Sequence, residues 1–133
     1  MPFEDNHADQ VAAIHVIEHF YLWDVPEILR EWKRVLKPAG QLILELPCMD
    51  KVIYYMKACL DQQREMDAQM TWLAIWGDPN YKRVEMCHKW GYTKAQMVEL
   101  LKDAGFTDVQ VQKPRYHVVH RDMRVVAVKP LTT

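Results

Sequence analysis

Three ionisable side chains, His15, Glu18 and His19, fall within five residues, and a second polar and aromatic group, His88, Trp90 and Tyr92, lies much later in the chain. An imidazole titrates near neutrality, and a neighbouring carboxylate can fix its orientation while the ring accepts a proton. His19 is therefore the candidate base and Glu18 its orienting partner. The letters His-x-x-Glu-His also spell an inverted zinc-peptidase motif, with both histidines on one helix face and the glutamate as base. That alternative, a zinc hydrolase, needs a helix and a third ligand. Glu85 and Glu99 are candidates for that ligand merely by standing downstream, and the residues before His15 are β-prone. No metal ligand is assigned. Cys87-His88 is a solitary pair in a polar stretch, without the companions a thiol nucleophile or zinc site requires.

The elements that must position these groups follow from patterning. Val11 to Val16 is a nearly continuous apolar run, which predicts a strand covered on both faces. Asp24 and Pro26 predict a helix start, and Ile28, Leu29, Trp32, Val35 and Leu36 recur at helical spacing. Pro38 and Gly40 stop that helix, and Gln41 to Leu46 reads as a second strand ended by Pro47. Strand, helix and strand make a βαβ unit, whose ligands lie at the carboxyl ends of the strands, where His15 to His19 fall.

Farther on, apolar residues from Met49 to about Trp76 recur at helical spacing, as one bent helix or two. Among the methionines and tryptophans, Trp32, Met56, Met66 and Met70 fit packing positions, whereas Trp72, Trp76 and Trp90 flank residues 77–91, read as a long loop of the kind that carries function. Thr93 caps a helix through Ala104 that Gly105 closes. Thr107 to Gln112 and Arg124 to Val128 are β-prone strands. Lys113, Arg115, Arg121 and Arg124 gather near them, with Asp108 and Asp122 interspersed, as a solvated face.

With 133 residues, half of them apolar, and a formal net charge of −1, the chain reads as one domain, 1–133, with a real core and no general affinity for nucleic acid. Three cysteines without CxxC spacing argue against a disulfide framework and point to a reducing cytoplasmic setting, and no apolar run approaches membrane length.

At HVIEHF, at EWKRVLKPAGQLILELP and at HKWGYTKAQMVELLKDAGF the chain resembles class I S-adenosylmethionine-dependent methyltransferases of the type 11 kind. Pro2 to Asn6 and Asp9 correspond to the family's lead into its fourth strand, and Glu18-His19 to that strand's end. Arg34 to Gly40 corresponds to the R-V-L-K-P-G-G turn before the fifth strand, with Ala39 for the first glycine, and Leu101 to Phe106 to the L-x-x-A-G-F element. The resemblance implies a truncated Rossmann-like α/β sheet, strands in the order 4-5-7-6 with the seventh antiparallel and helices on both faces. It places Ile14, His15 and Val16 beside the methionine part of S-adenosylmethionine, and the 77–91 loop, with His88, Trp90 and Tyr92, on the acceptor side. The family's G-x-G cofactor loop has no counterpart, since the four glycines are at 40, 77, 91 and 105.

The expected activity is methyl transfer to a small-molecule or glycan-like acceptor, weak or absent in the isolated chain because the main cofactor loop is missing. The alternative is a non-catalytic dimerisation or interaction module derived from a methyltransferase. An interior-type strand left at an edge predicts a homodimer, or a complex with a separate amino-terminal half, through Val11 to Val16.

Overall fold

The structure, a computed structural model, describes residues 1–132. Four strands, β1 (Ala8–Ile14), β2 (Leu36–Pro47), β3 (Thr107–Gln112) and β4 (Asp122–Val128), form one sheet in the order β1-β2-β4-β3. β1 and β2 are parallel, joined by helix α1 (Val25–Val35), while β4 runs antiparallel to both β2 and β3. This is the expected α/β sheet, 4-5-7-6 with its seventh strand antiparallel. Helices α2 (Met49–Asp61), α3 (Trp72–Trp76) and α4 (Lys94–Asp103) complete the chain.

Alternation along the strands explains where the core sits. Leu42, Leu44 and Leu46 of β2 pair with Ala127, Val125 and Met123 of β4, so their side chains share one face. Leu29 and Trp32 of α1 and Met97 and Leu101 of α4 pack on that face, with Tyr92 and Phe106. The opposite face carries Ile43 and Val126, and a buried ion pair between Glu45 and Arg124 at 2.7 Å. The segment after β3 covers that pair, because the backbone N–H groups of Arg115 and Tyr116 donate to the Glu45 carboxylate at 3.0 and 3.1 Å.

Several boundaries differ from the patterning. β1 begins at Ala8 and ends at Ile14 rather than running from Val11 to Val16. It is an edge strand with Asp9, Gln10 and Ala12 exposed, and among its residues only Ala13 is buried, so it is not covered on both faces here. β2 starts at Leu36, which the helical spacing had claimed for α1: Ala8 pairs with Leu36 but Gln10 with Gln41, so Lys37 to Gly40 loop out of the ladder. Ala39 takes φ 66 in that excursion. Asp24 precedes α1 without making a side-chain cap. The Met49 to Trp76 stretch divides into α2 and α3. Residues 77–91 contain two short 3₁₀ turns, Pro79–Tyr81 and Val84–Met86. Thr93 and Gln96 form a reciprocal capping box at α4, and Gly105 closes the helix at φ 91, as expected.

Candidate functional site at the carboxyl end of β1

β1 stops because His15 turns the backbone to φ 55, a left-handed value that costs a non-glycine residue energy and is usually held by its surroundings. What holds it is visible. The His15 N–H donates to the Glu45 carbonyl at 2.7 Å, still in ladder register, and the ring is gripped from both sides. Nδ1 lies 3.3 Å from Glu18 and Nε2 3.3 Å from Asp122, at angles that make these contacts of charge rather than aligned hydrogen bonds. The His117 ring meets His15 edge-on at 4.1 Å. Burial pulls the His15 pKa down, but Asp122 and Glu18 overcome it and raise the value to about 9, so the ring is an imidazolium at neutral pH. Burial likewise opposes ionisation of Asp122, yet His15 and Arg121 hold its carboxyl down at about 2.

Past Val16 the chain makes a single 3₁₀ turn, Ile17–His19, that buries Glu18 at 1 % exposure. The helix that a His-x-x-Glu-His zinc peptidase needs is absent, since the first histidine ends a strand and the second closes this turn. His19 Nε2 lies 3.8 Å from Glu18, longer than a hydrogen bond. Among the described residues, both Glu18 oxygens and His19 Nδ1 are buried without a hydrogen-bond partner.

The 77–91 segment delivers His88 to this point. Its backbone is pinned by His88 N–H to Trp76 carbonyl at 3.0 Å and Lys89 N–H to the carbonyl of Glu18 itself at 2.7 Å. Gly77, at φ 88, lets the returning chain pass: a Cβ there would stand 2.6 Å from the Met86 carbonyl oxygen. The His88 ring then meets His19 edge-on at 4.8 Å, while its Nδ1 pairs with the Ala74 carbonyl at 2.8 Å. Because a carbonyl only accepts, Nδ1 carries the proton and Nε2 keeps a lone pair. Burial lowers the pKa of this ring.

Tyr92, 1 % exposed, is held by Met49 N–H donating to its carbonyl at 2.9 Å, and its hydroxyl has no hydrogen-bond partner among the described residues. Burial, with the Glu18 charge, pushes its pKa up to about 12. Tyr92 and the half-exposed Trp90 line a cleft of about 280 Å³ with Leu22, Gln96 and Glu99. A separate surface depression of about 770 Å³, around Met1, Ile28, Glu31 and Arg34, shares no residue with this site.

Of the groups expected from sequence, Glu18, His19 and His88 therefore converge, Trp90 and Tyr92 share an adjoining cleft, and Ile14 and Val16 flank His15 as half-buried wall. Asp122 and Arg121 were expected on a solvated face but are part of the site: Asp122 is fully buried and takes a two-pronged contact from Arg121 at 2.6 and 2.9 Å. Arg124 is likewise buried rather than solvated. Lys113, Arg115 and Asp108 are exposed as expected, whereas Arg121 pairs with Asp122 and Arg124 with Glu45.

A model for the methyltransferase domain matches residues 1–44. No curated protein matches the sequence significantly. Among solved structures the chain is similar to a SAM-dependent methyltransferase from Methanosarcina mazei, at 22 % identity and TM-score 0.63, over 98 % of this chain and 63 % of that one. A SAM-dependent methyltransferase from Archaeoglobus fulgidus aligns at 15 % identity and TM-score 0.60, over 96 % and 62 %. Human N-acetylserotonin methyltransferase, in complex with SAM, aligns at 16 % and 0.57, over 93 % and 30 %. The chain thus spans less than two thirds of each of these proteins. Residues 1–44 match the methyltransferase-domain model, and the chain shares the fold of these methyltransferase structures over the part of them that it covers.

Proposed function

We propose that this chain forms the acceptor side of an S-adenosylmethionine-dependent methyl-transfer site, acting on a small-molecule or glycan-like acceptor. The observation that supports it most is the convergence of Glu18, His19 and His88 at the carboxyl end of β1, where ligands sit in parallel α/β sheets. The cofactor would supply an electrophilic methyl group. Ile14, His15 and Val16 fit one side of its methionine part, being half-buried at the strand end beside a charged ring. They form a wall, not an enclosure.

Methyl transfer asks the protein chiefly to align acceptor and methyl group and to exclude water, adding a base where the acceptor carries a proton. His19 would accept that proton, with Glu18, 3.8 Å from its Nε2, to orient and stabilise the ring. His88, Trp90 and Tyr92 would contact the acceptor.

NMR shift mapping with S-adenosylmethionine tests the assignment. Shifts at the amides of Ile14, His15 and Val16 are expected, with an affinity weaker than about 100 μM, near −5.5 kcal/mol, because one wall alone is present. No shifts up to the solubility limit of the cofactor would sink the methyl-transfer reading. They would leave the second one, an interaction module, which the unpaired outer edge of β1 favours.

A further inference from the structure

We propose that Glu18, His19 and His88 bind a divalent first-row transition ion, with zinc as the ordinary occupant. Each offers one ligand atom, and the three atoms lie within 4.8 Å of one another. Bonds of 2.0–2.2 Å place tetrahedral ligands about 3.4 Å apart, so modest side-chain rotations close the set around an ion.

Two observations point to a ligand independently of that proximity. First, Glu18 is a carboxylate buried to 1 % whose oxygens both lack a hydrogen bond. The His15 imidazolium, 3.3 Å from Oε1, offsets part of the cost of that buried charge but makes no aligned hydrogen bond, and Oε2 meets no cation among the described residues, which leaves it free for an ion. Second, His88 donates Nδ1–H to the Ala74 carbonyl and so keeps a bare lone pair on Nε2, in a ring that meets His19 edge-on. Metal-binding histidines are commonly oriented in this way, with the other ring nitrogen fixed by a backbone carbonyl. His19 adds a buried, unpartnered Nδ1.

The donor set selects the ion. Two imidazoles and one carboxylate suit zinc or another first-row divalent ion and leave coordination positions open, whereas magnesium and calcium favour oxygen ligands throughout. The charged groups facing the site are accounted for: the His15 imidazolium lies 3.3 Å from Glu18, and Asp122 gives it a second carboxylate when Glu18 turns to the ion. If the methyl-transfer reading holds, an acceptor oxygen would take an open coordination position, and His19 would then serve as a ligand rather than a base. The metal site itself requires no cofactor, so the two ideas fail separately.

Calorimetric titration of the chelator-stripped chain with Zn²⁺ tests the site. One ion per chain is expected, with Kd near or below about 1 μM. Glu18→Gln and His88→Ala should each weaken binding at least tenfold, while His7→Ala, at an exposed position, leaves it unchanged. Co²⁺ should give the visible absorption of a four- or five-coordinate ion without thiolate charge transfer. Binding weaker than about 100 μM in the folded wild-type chain overturns the proposal. So does affinity unaltered by both site substitutions, or a thiolate band, which would put the ion on a cysteine.

Discussion

The charge balance around His15 makes a pH prediction for the metal-free protein. Its folded pKa, about 9, lies above the ordinary 6.5, so its pairing with Asp122 and Glu18 contributes fully below about pH 6.5 and is lost as pH rises through 9. Denaturant unfolding with chelator present should therefore show stability falling by about 2–3 kcal/mol between those limits. His15→Gln should flatten the decline; an unchanged slope in that variant would refute the assignment. Asp122 acts at the other end. Its carboxyl is depressed to about 2, so its contribution stands above the ordinary value of 3.8 and disappears as pH falls through 2. Tyr92 offers a separate residue-scale check. A buried hydroxyl without a partner is a liability for folding, so Tyr92→Phe should stabilise the chain by up to about 1 kcal/mol. If that hydroxyl faces bound acceptor or ion, the same variant should weaken ligand binding.

Two turns control how the elements meet. Gly77 has φ 88 and ψ 175, a conformation that is nearly glycine-only, and a Cβ would strike the Met86 carbonyl. Gly77→Ala should cost about 1–3 kcal/mol and displace His88, visible as loss of the ring-current shift between His88 and His19. Ala39 is the converse case: it occupies φ 66 where the related turn has glycine. Left-handed backbone costs an alanine roughly 1–2 kcal/mol and glycine loses about half of that to entropy, so Ala39→Gly should raise stability by about 0.5–1 kcal/mol in chemical denaturation.

Elements with local signals were legible in the sequence. The Thr93 and Gln96 box with Gly105 marks α4 at both ends, and Thr107 to Gln112 alternates as the strand it forms. The start of β1 was not, because Ala8, Asp9 and Gln10 belong to an edge and lack the apolar character of a covered strand. β2 was shortened by the Pro38 to Gly40 signal, which marks an excursion inside the ladder rather than its beginning. At the site, Glu18 and His19 were legible from their place after a strand. Asp122 was not, because nothing local links it to His15 across more than a hundred residues of chain.

At the scale of the molecule, the order β1-β2-β4-β3 leaves β1 with one neighbour. The His15 N–H points to β2, so by alternation the N–H groups of Gln10, Ala12 and Ile14 face outward. That row can accept another strand, from a second copy or from a separate amino-terminal half. Light scattering at micromolar concentration is expected to show a dimer for the chain alone. Ala12→Pro removes an outward donor while leaving the ladder to β2 intact, and should shift the population to monomer. A wild-type monomer at that concentration would exclude self-pairing.

The amide of Lys89 hangs from the carbonyl of the very residue whose buried carboxylate anchors the site. Loop and strand end therefore form one mechanical unit: lifting residues 77–91 from the sheet end also disturbs Glu18 and the groups gathered around it. Deuterium uptake at Lys89 should report the state of the carboxyl end of β1 as faithfully as any probe placed within it.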